Sequence, residues 1–390
     1  MKAQGSSSRN TEDIEMIKRC LWGAIAALSL SANAQSSVTI YGIIDAGITY
    51  IDNQGGGKQY KFADGVNYGN RLGFRGAEDL GGGLRALFNL EMGFNLRNGT
   101  LAQGGRGFGR QSWVGLESAS LGTVTMGRQY DFVRDYLTQF NYGGFASVYA
   151  GHQGDYDRIS GKQMDNTVKY VTPSFGGFTA GAMFAFGEQI DAFNTKTAFS
   201  LGSGYKNGPL SVGAAYVRLN DTNVYPYAQT GVFSFMGVPA AVADPATNTV
   251  TDLYGTTGSG FLVDKQEIAG IGISYNFEKF LLAANTTATK FTKGDNSTTQ
   301  HVYELGGMYF LGGPWALVGG YQHVTMADDR WNQYTGAVRY SLSKRTTIYA
   351  SASYLHASSN VDASQGAGFY TLPSNDNSQT TYRVALVHTF

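Results

Sequence analysis

Apolar and polar residues alternate in segments of about ten from Val38 onward, separated by turn-forming residues and without a helical period of any length. Between residues 267 and 277, Ala269, Ile271, Ile273, Tyr275 and Phe277 share one face while Gly270, Gly272, Ser274 and Asn276 share the other. Residues 210–216 and 334–340 repeat the pattern. The chain ends inside such a segment, with Tyr382, Val384, Leu386, His388 and Phe390 on one side and Thr381, Arg383, Ala385 and Thr389 on the other. A strand crossing lipid turns apolar side chains outward and polar ones to a wet interior, and an open strand edge cannot survive in hydrocarbon. The pattern therefore predicts a closed transmembrane β-barrel. A soluble β-sandwich or β-helix shares the alternation but gives no reason for aromatic-rich faces or a terminal strand closing on Phe390.

The connections fall into two classes. Short runs of Gly, Pro, Ser and small polar residues occur at 78–83, 118–122, 173–177, 206–209, 276–279, 311–314 and 341–344. Longer polar stretches lie near 52–69, 95–107, 130–165, 188–198, 220–266, 293–299, 326–330 and 358–379. Seven turns and eight loops join sixteen strands, so the fold class is all-β, a sixteen-stranded antiparallel barrel with short turns in the periplasm and long loops outside. A barrel of that size encloses an aqueous channel rather than a packed interior. Tyr41, Phe175, Phe178, Phe277, Phe280, Phe310, Trp315, Tyr340 and Phe390, near strand ends, are expected as girdles where lipid meets water.

Composition removes the other membrane architecture. Only 15% of residues are charged and 53 of 390 are glycine, yet no run approaches the ~20 apolar residues of a membrane helix. The one continuous apolar run, residues 20–30, follows Lys18 and Arg19 and precedes Ala32-Asn33-Ala34, the three parts of a secretory signal. Residues 1–15 read as an upstream extension, 16–34 as a signal peptide starting at Met16, and 35–390 as one barrel domain. The sole cysteine, Cys20, leaves with the signal. Beyond residue 34 the chain holds 25 basic and 26 acidic residues, a balance that argues against nucleic acid as partner. The five histidines show no metal-ligand spacing, and no cofactor is expected.

Three stretches carry a family resemblance: Ser37-Val-Thr-Ile-Tyr-Gly-Ile-Ile-Asp45, Arg71-Leu-Gly-Phe-Arg-Gly-Ala-Glu-Asp-Leu-Gly-Gly-Gly-Leu84 and Gly122-Thr-Val-Thr-Met-Gly-Arg-Gln-Tyr-Asp131. With the closing Phe390 they resemble the general porins of Gram-negative outer membranes, in particular the trimeric porins of β-proteobacteria. The resemblance implies an outer-membrane location among lipid, a homotrimer, insertion by the barrel-assembly machinery through the terminal strand and Phe390, and passage of ions and small hydrophilic solutes. It also implies that the third loop, 130–165, folds into the pore and presents carboxylates to a basic ladder on the wall, a transverse field that sorts ions.

Parity assigns the candidates. Leu72 and Phe74 claim the lipid face, so Arg71 and Arg75 point inward; Asp45, Arg85 and Glu91 are likewise assigned to the lumen. By resemblance Arg71 and Arg110 match the basic ladder and Lys162 matches it more weakly. Any one of them alone is equally well a solvated lumen residue. The acidic candidates are Asp131, Asp135 and Asp155, where Asp131 could equally cap a short helix and Asp155 reads more readily as a surface charge paired with Arg158. The positions matching the family's central loop carboxylates are Leu137 and Asn141, neither acidic, which predicts an opening biased to anions. The alternatives are a channel specific for an organic anion or sugar, and an outer-membrane enzyme with a Ser, His and Asn on the wall.

Overall fold

The computed structural model describes residues 37–247, 249–255 and 258–390; the upstream extension, signal peptide with Cys20 and mature start at Gln35 expected from the sequence lie outside the described residues. The wall begins with β1 (Ser37–Gln54) and β2, which runs in two pieces (Gly57–Asp64 and Arg71–Gly81). There follow β3 (Leu84–Gly93), β4 (Gln111–Ser118), β5 (Gly122–Tyr130), β6 (Gln163–Val171), β7 (Phe178–Ala185), β8 (Ala198–Asn207) and β9 (Leu210–Val224). The second half holds β10 (Phe261–Asn276), β11 (Phe280–Lys293), β12 (Asn296–Gly312), β13 (Trp315–Met326), β14 (Asp329–Ser341), β15 (Thr346–Ala357) and β16 (Ser378–Thr389). Each strand pairs antiparallel with the next, and β16 returns to β1 from Ile43↔Thr389 to Ile51↔Thr381, so the sixteen-stranded cylinder is closed. All seven short turns fall where the sequence puts them.

Three of the eight predicted long loops are instead tight hairpins. β1 and β2 turn at Gly55-Gly56, β11 and β12 at Gly294-Asp295, and β13 and β14 at Ala327-Asp328. Gly55, Gly56, Gly294 and Ala327 take the left-handed φ that such turns require. These strands extend past the apolar band, where neither face meets lipid, and the alternation that marks a strand disappears there.

The outer face carries two aromatic bands. One is the predicted girdle beside the short turns, with Phe277 on Phe280 at 4.6 Å and Trp315 on Tyr340 at 4.5 Å between ring centroids. The other is a belt of tyrosines near the opposite rim. Tyr60, Tyr50 and Tyr382 pair side by side on β2, β1 and β16, and Tyr354, Tyr334 and Tyr321 do so on β15, β14 and β13. On β14, Tyr334 and Tyr340 are six residues apart, roughly 20 Å of tilted strand, a spacing suited to the apolar slab. Tyr41 is a correction to the girdle: it lies on the inner face and its hydroxyl bonds Asn89 and Glu91, both at 2.9 Å.

The closing seam is held inside as well as by its ladder. Asp45 on β1 and Arg383 on β16 are fully buried and paired at 2.8 Å, with Tyr349 of β15 bonding both. Arg383 also donates to Thr49 and to the Ala63 carbonyl, while the Asp45 carboxylate accepts the Asn67 and Tyr68 amides. One charge pair thereby fixes both the seam and the break in β2. At the foot of the seam, Gly42 and Phe390 exchange backbone hydrogen bonds, and the Phe390 ring occupies the space a Cβ on Gly42 would take.

Replacing Arg383 with Ala leaves the Asp45 carboxylate buried without its cation, so we expect a loss of about 3–5 kcal/mol. Thermal unfolding in detergent, followed by circular dichroism, checks it; the double variant Asp45→Asn, Arg383→Met is expected to recover part of the loss.

Candidate functional site

The third loop folds inward, and its sequence explains how. Asp131 caps the short helix α1 (Phe132–Tyr136), its carboxylate accepting the Val133 and Arg134 amides at 3.0 and 3.3 Å, and a second helix α2 (Tyr142–Ala146) follows. Phe132, Val133, Leu137, Phe140, Tyr149 and Ile159 are all completely buried. Phe132, Leu137 and Phe140 lie on a bed of inner-face glycines: a Cβ on Gly181, Gly202 or Gly272 would stand 2.3, 2.5 or 2.1 Å from Phe132 or Phe140. Glycine on the face opposite the lipid-facing residues is what lets a loop approach the wall so closely.

Wall amides then take up the loop's carbonyls. Gln266 of β10 donates to Tyr156, Asn285 of β11 to Phe140, Gln300 of β12 to Gln153, Gln322 of β13 to Ala150 and Gln333 of β14 to Tyr149. A buried irregular segment needs such partners, because its backbone has no ladder. At the centre, His152 bonds Asp157 of the loop at 2.5 Å and Glu304 of β12 at 2.9 Å, and Glu304 also accepts the Gly143 amide at 2.6 Å. Burial alone would push the imidazolium toward neutrality, yet the two carboxylates outweigh it and raise the His152 pKa to about 10. Asp157 moves the other way: burial opposes its charge, but the imidazolium, the Thr287 hydroxyl and the Ile159 amide hold it below the usual carboxylate range.

Other loops fill the mouth above this anchor. Val232, Phe235 and Ala240 from residues 225–260 and Val361 and Ala363 from residues 358–377 pack with inner-face Val263, Phe291, Val302, Val324, Trp331 and Leu355. This corrects the expectation of a wholly wet interior, since one side of the cylinder is a packed core. The free space lies against the other side, a cavity of about 460 Å³ between the third loop, the break in β2 and the last loop. Arg71, Arg110 and Arg134 line it together with Tyr68, Tyr130 and Phe369, and Arg110 and Arg134 lie close enough to Arg71 to act on it electrostatically.

The family model for Gram-negative porins matches residues 22–360. This chain belongs to the Gram-negative porins. An outer membrane porin protein of Bordetella pertussis is 32% identical, with 85% of this chain and 91% of that protein covered. Outer membrane porin protein 32 of Delftia acidovorans is 31% identical, over 94% of this chain and 98% of its own length. Among solved structures, the anion-selective porin from Comamonas acidovorans superposes with a TM-score of 0.74 at 26% identity, covering 91% of this chain and all of that one. The porin is accordingly a protein of the outer membrane.

The candidate residues divide sharply by position. Arg71 and Arg110 line the cavity; Arg71 donates to the Gly69 carbonyl, and Arg110 pairs with Glu91 at 2.8 Å and bonds Tyr130. Arg75 lies two inner-face positions further along β2, stacked over Tyr41 at 5.3 Å and outside the cavity. Arg85 is paired with Glu117 on the neighbouring strand, near the periplasmic turns. Lys162 belongs to the returning loop rather than the wall, and its ammonium contacts the Asp155 carbonyl and carboxylate at 3.1 and 3.3 Å. Asp131 does not face the passage: it is fully buried, engaged as a helix cap and by Arg158. Asp155 is buried against the Ser160 amide and hydroxyl, and Asp135 pairs with Lys169 of β6. Asp45 is locked to Arg383 and Glu91 to Arg110, so neither is an open lumen charge.

Sequence reasoning missed Arg134, Lys169, the glycine bed and the amide row. Arg134 was findable, because Phe132, Val133 and Leu137 take the wall-facing side of α1 and leave position 134 to the passage. The amides carry no local signal, since a glutamine on an inner face reads only as polar.

His152→Leu is expected to leave two buried carboxylates without a cation and weaken the docking of the loop by about 3–5 kcal/mol, visible as larger open-channel noise in planar bilayers. In the unsubstituted porin the anchor's stabilisation is complete below the ordinary His value of 6.5 and is lost as pH rises through about 10. The contribution of Asp157 is present above its ordinary 3.8 and lost as pH falls through its depressed value. Protease cleavage within residues 131–162, measured against pH, is therefore expected to be slowest between these two ordinary values, to rise progressively above about pH 6.5 and to level off above about pH 10.

Proposed function

We propose that this porin is a passive general diffusion channel for ions and small hydrophilic solutes, narrowed by residues 130–165 and biased toward anions. The observation that carries it is the charge left facing the passage. Among the described residues, Arg71 and Arg134 line the cavity with no carboxylate in ion-pairing distance, whereas Asp131, Asp135 and Asp155 are each bound to a cation. A confined space with low-dielectric walls and surplus cationic side chains raises the local concentration of anions. The anion-selective porin from Comamonas acidovorans, similar in fold and sequence, supports the same reading. Passive passage rather than catalysis fits the histidine nearest the cavity, since His152 is consumed in buried ion pairs.

Assembly as a homotrimer is part of the proposal. The tyrosine belt covers β13 to β16 and returns over β1 and β2, while β4 to β7 have only eight or nine residues each and turn Val114, Leu116, Val124 and Met126 outward. A low apolar wall without rim tyrosines suits contact with other copies better than contact with headgroups. Phe390, seated on Gly42, remains our candidate for the residue read by the assembly machinery.

Under a potassium chloride gradient the reversal potential is expected to have the sign for chloride preference, and Arg71→Gln with Arg134→Gln is expected to move it toward the cation value. A cation-selective wild type would refute the eyelet assignment. On unheated gels the porin is expected to run at three times its heated mass, and a monomer band would remove the trimer.

A further inference from the structure

The arginines account for the sign of the charge in the passage and leave its aromatic lining unexplained. Tyr68 and Phe145 meet edge to face at 6.2 Å, and Arg134 stands over the Tyr130 ring at 5.6 Å. Phe369, from the last loop, remains 63% exposed although it borders the same cavity, with the Lys162 ammonium 5.6 Å from its ring centre. A phenyl ring held in a water-filled constriction gives nothing to a hydrated inorganic ion. Its use is to a solute that has a flat apolar part as well as a charge.

Resting on the reading of the protein as an anion-biased channel, we infer that the constriction is a binding site for small aromatic carboxylates, the carboxylate held by Arg71 and Arg134 and the ring laid against Phe369. Guanidinium groups take carboxylates in a planar, two-bonded fork, which orients the attached ring. The cavity of about 460 Å³ falls within the ~300–1,000 Å³ range of small-molecule sites. Phe369 of the last loop and Arg71 of β2 border the same cavity, so the ring and the carboxylate of one solute can be engaged together.

The test uses the whole porin in planar bilayers carrying chloride current, with acetate, cyclohexanecarboxylate and benzoate added in turn. Benzoate is expected to halve the current at a concentration about three- to tenfold below cyclohexanecarboxylate and lower still than acetate. Phe369→Ala is expected to remove the difference between benzoate and cyclohexanecarboxylate and to raise chloride conductance by clearing the passage, and Phe369→Tyr to restore the difference. Equal block by benzoate and cyclohexanecarboxylate in the wild type, or an unchanged preference in Phe369→Ala, overturns the inference while chloride current still upholds the channel. Absence of chloride current altogether would overturn the channel reading instead.

Discussion

Hydrocarbon offers the backbone no hydrogen-bond partner, so every amide and carbonyl in the membrane-crossing wall must find one in a neighbouring strand. That demand turns the last strand back onto the first, and it makes the meeting of β16 with β1 the one place where residues distant in sequence must find the correct register. A slip of one residue there would exchange the lipid and lumen faces. The Asp45–Arg383 pair guards against it, because a shifted register would bury each charge without the other. Gly42 and Phe390 fix the same register from the outer face.

The same requirement explains how a loop can live inside the cylinder. The third loop has no ladder of its own, and its carbonyls meet a row of wall amides, its aromatic rings a row of wall glycines, and its one histidine two carboxylates. These three devices sit on β7 to β14, which is why the loop lies on that side and the passage is displaced toward β1 to β5.

Much of this was legible in the sequence, and the rest was hidden for definable reasons. The strands showed wherever one face met lipid, as at Ile271, Ile273 and Tyr275, because the bilayer imposes a strict period of two. Three hairpins were misread as loops because above the bilayer the outer face meets water instead of lipid, so the outward apolar row is lost there even though Phe291 and Trp331 still pack inward. Arg71, named by parity and resemblance, and Arg110, named by resemblance, both border the cavity, since both stand on or beside regular strands. For the loop carboxylates the sequence left two roles open, because their fate depends on contacts inside the loop: Asp131 takes the helix-cap role, and Asp155 accepts the Ser160 amide. Tyr41 was misplaced because aromatic character was weighed above its position in the alternation, which already put it beside Thr39 and Ile43 on the inner face.

The displacement of the passage to one wall bears on how salt affects it. A compact space of the observed volume is about 10 Å across, the Debye length at 0.1 M. A migrating ion there is never separated from Arg71 by a full ionic atmosphere, since there is no room to assemble one. Bulk electrolyte can quiet the charges at the outer mouth long before it quiets those at the narrows, so discrimination between anions and cations should fade with ionic strength more gradually than the capture of ions from solution.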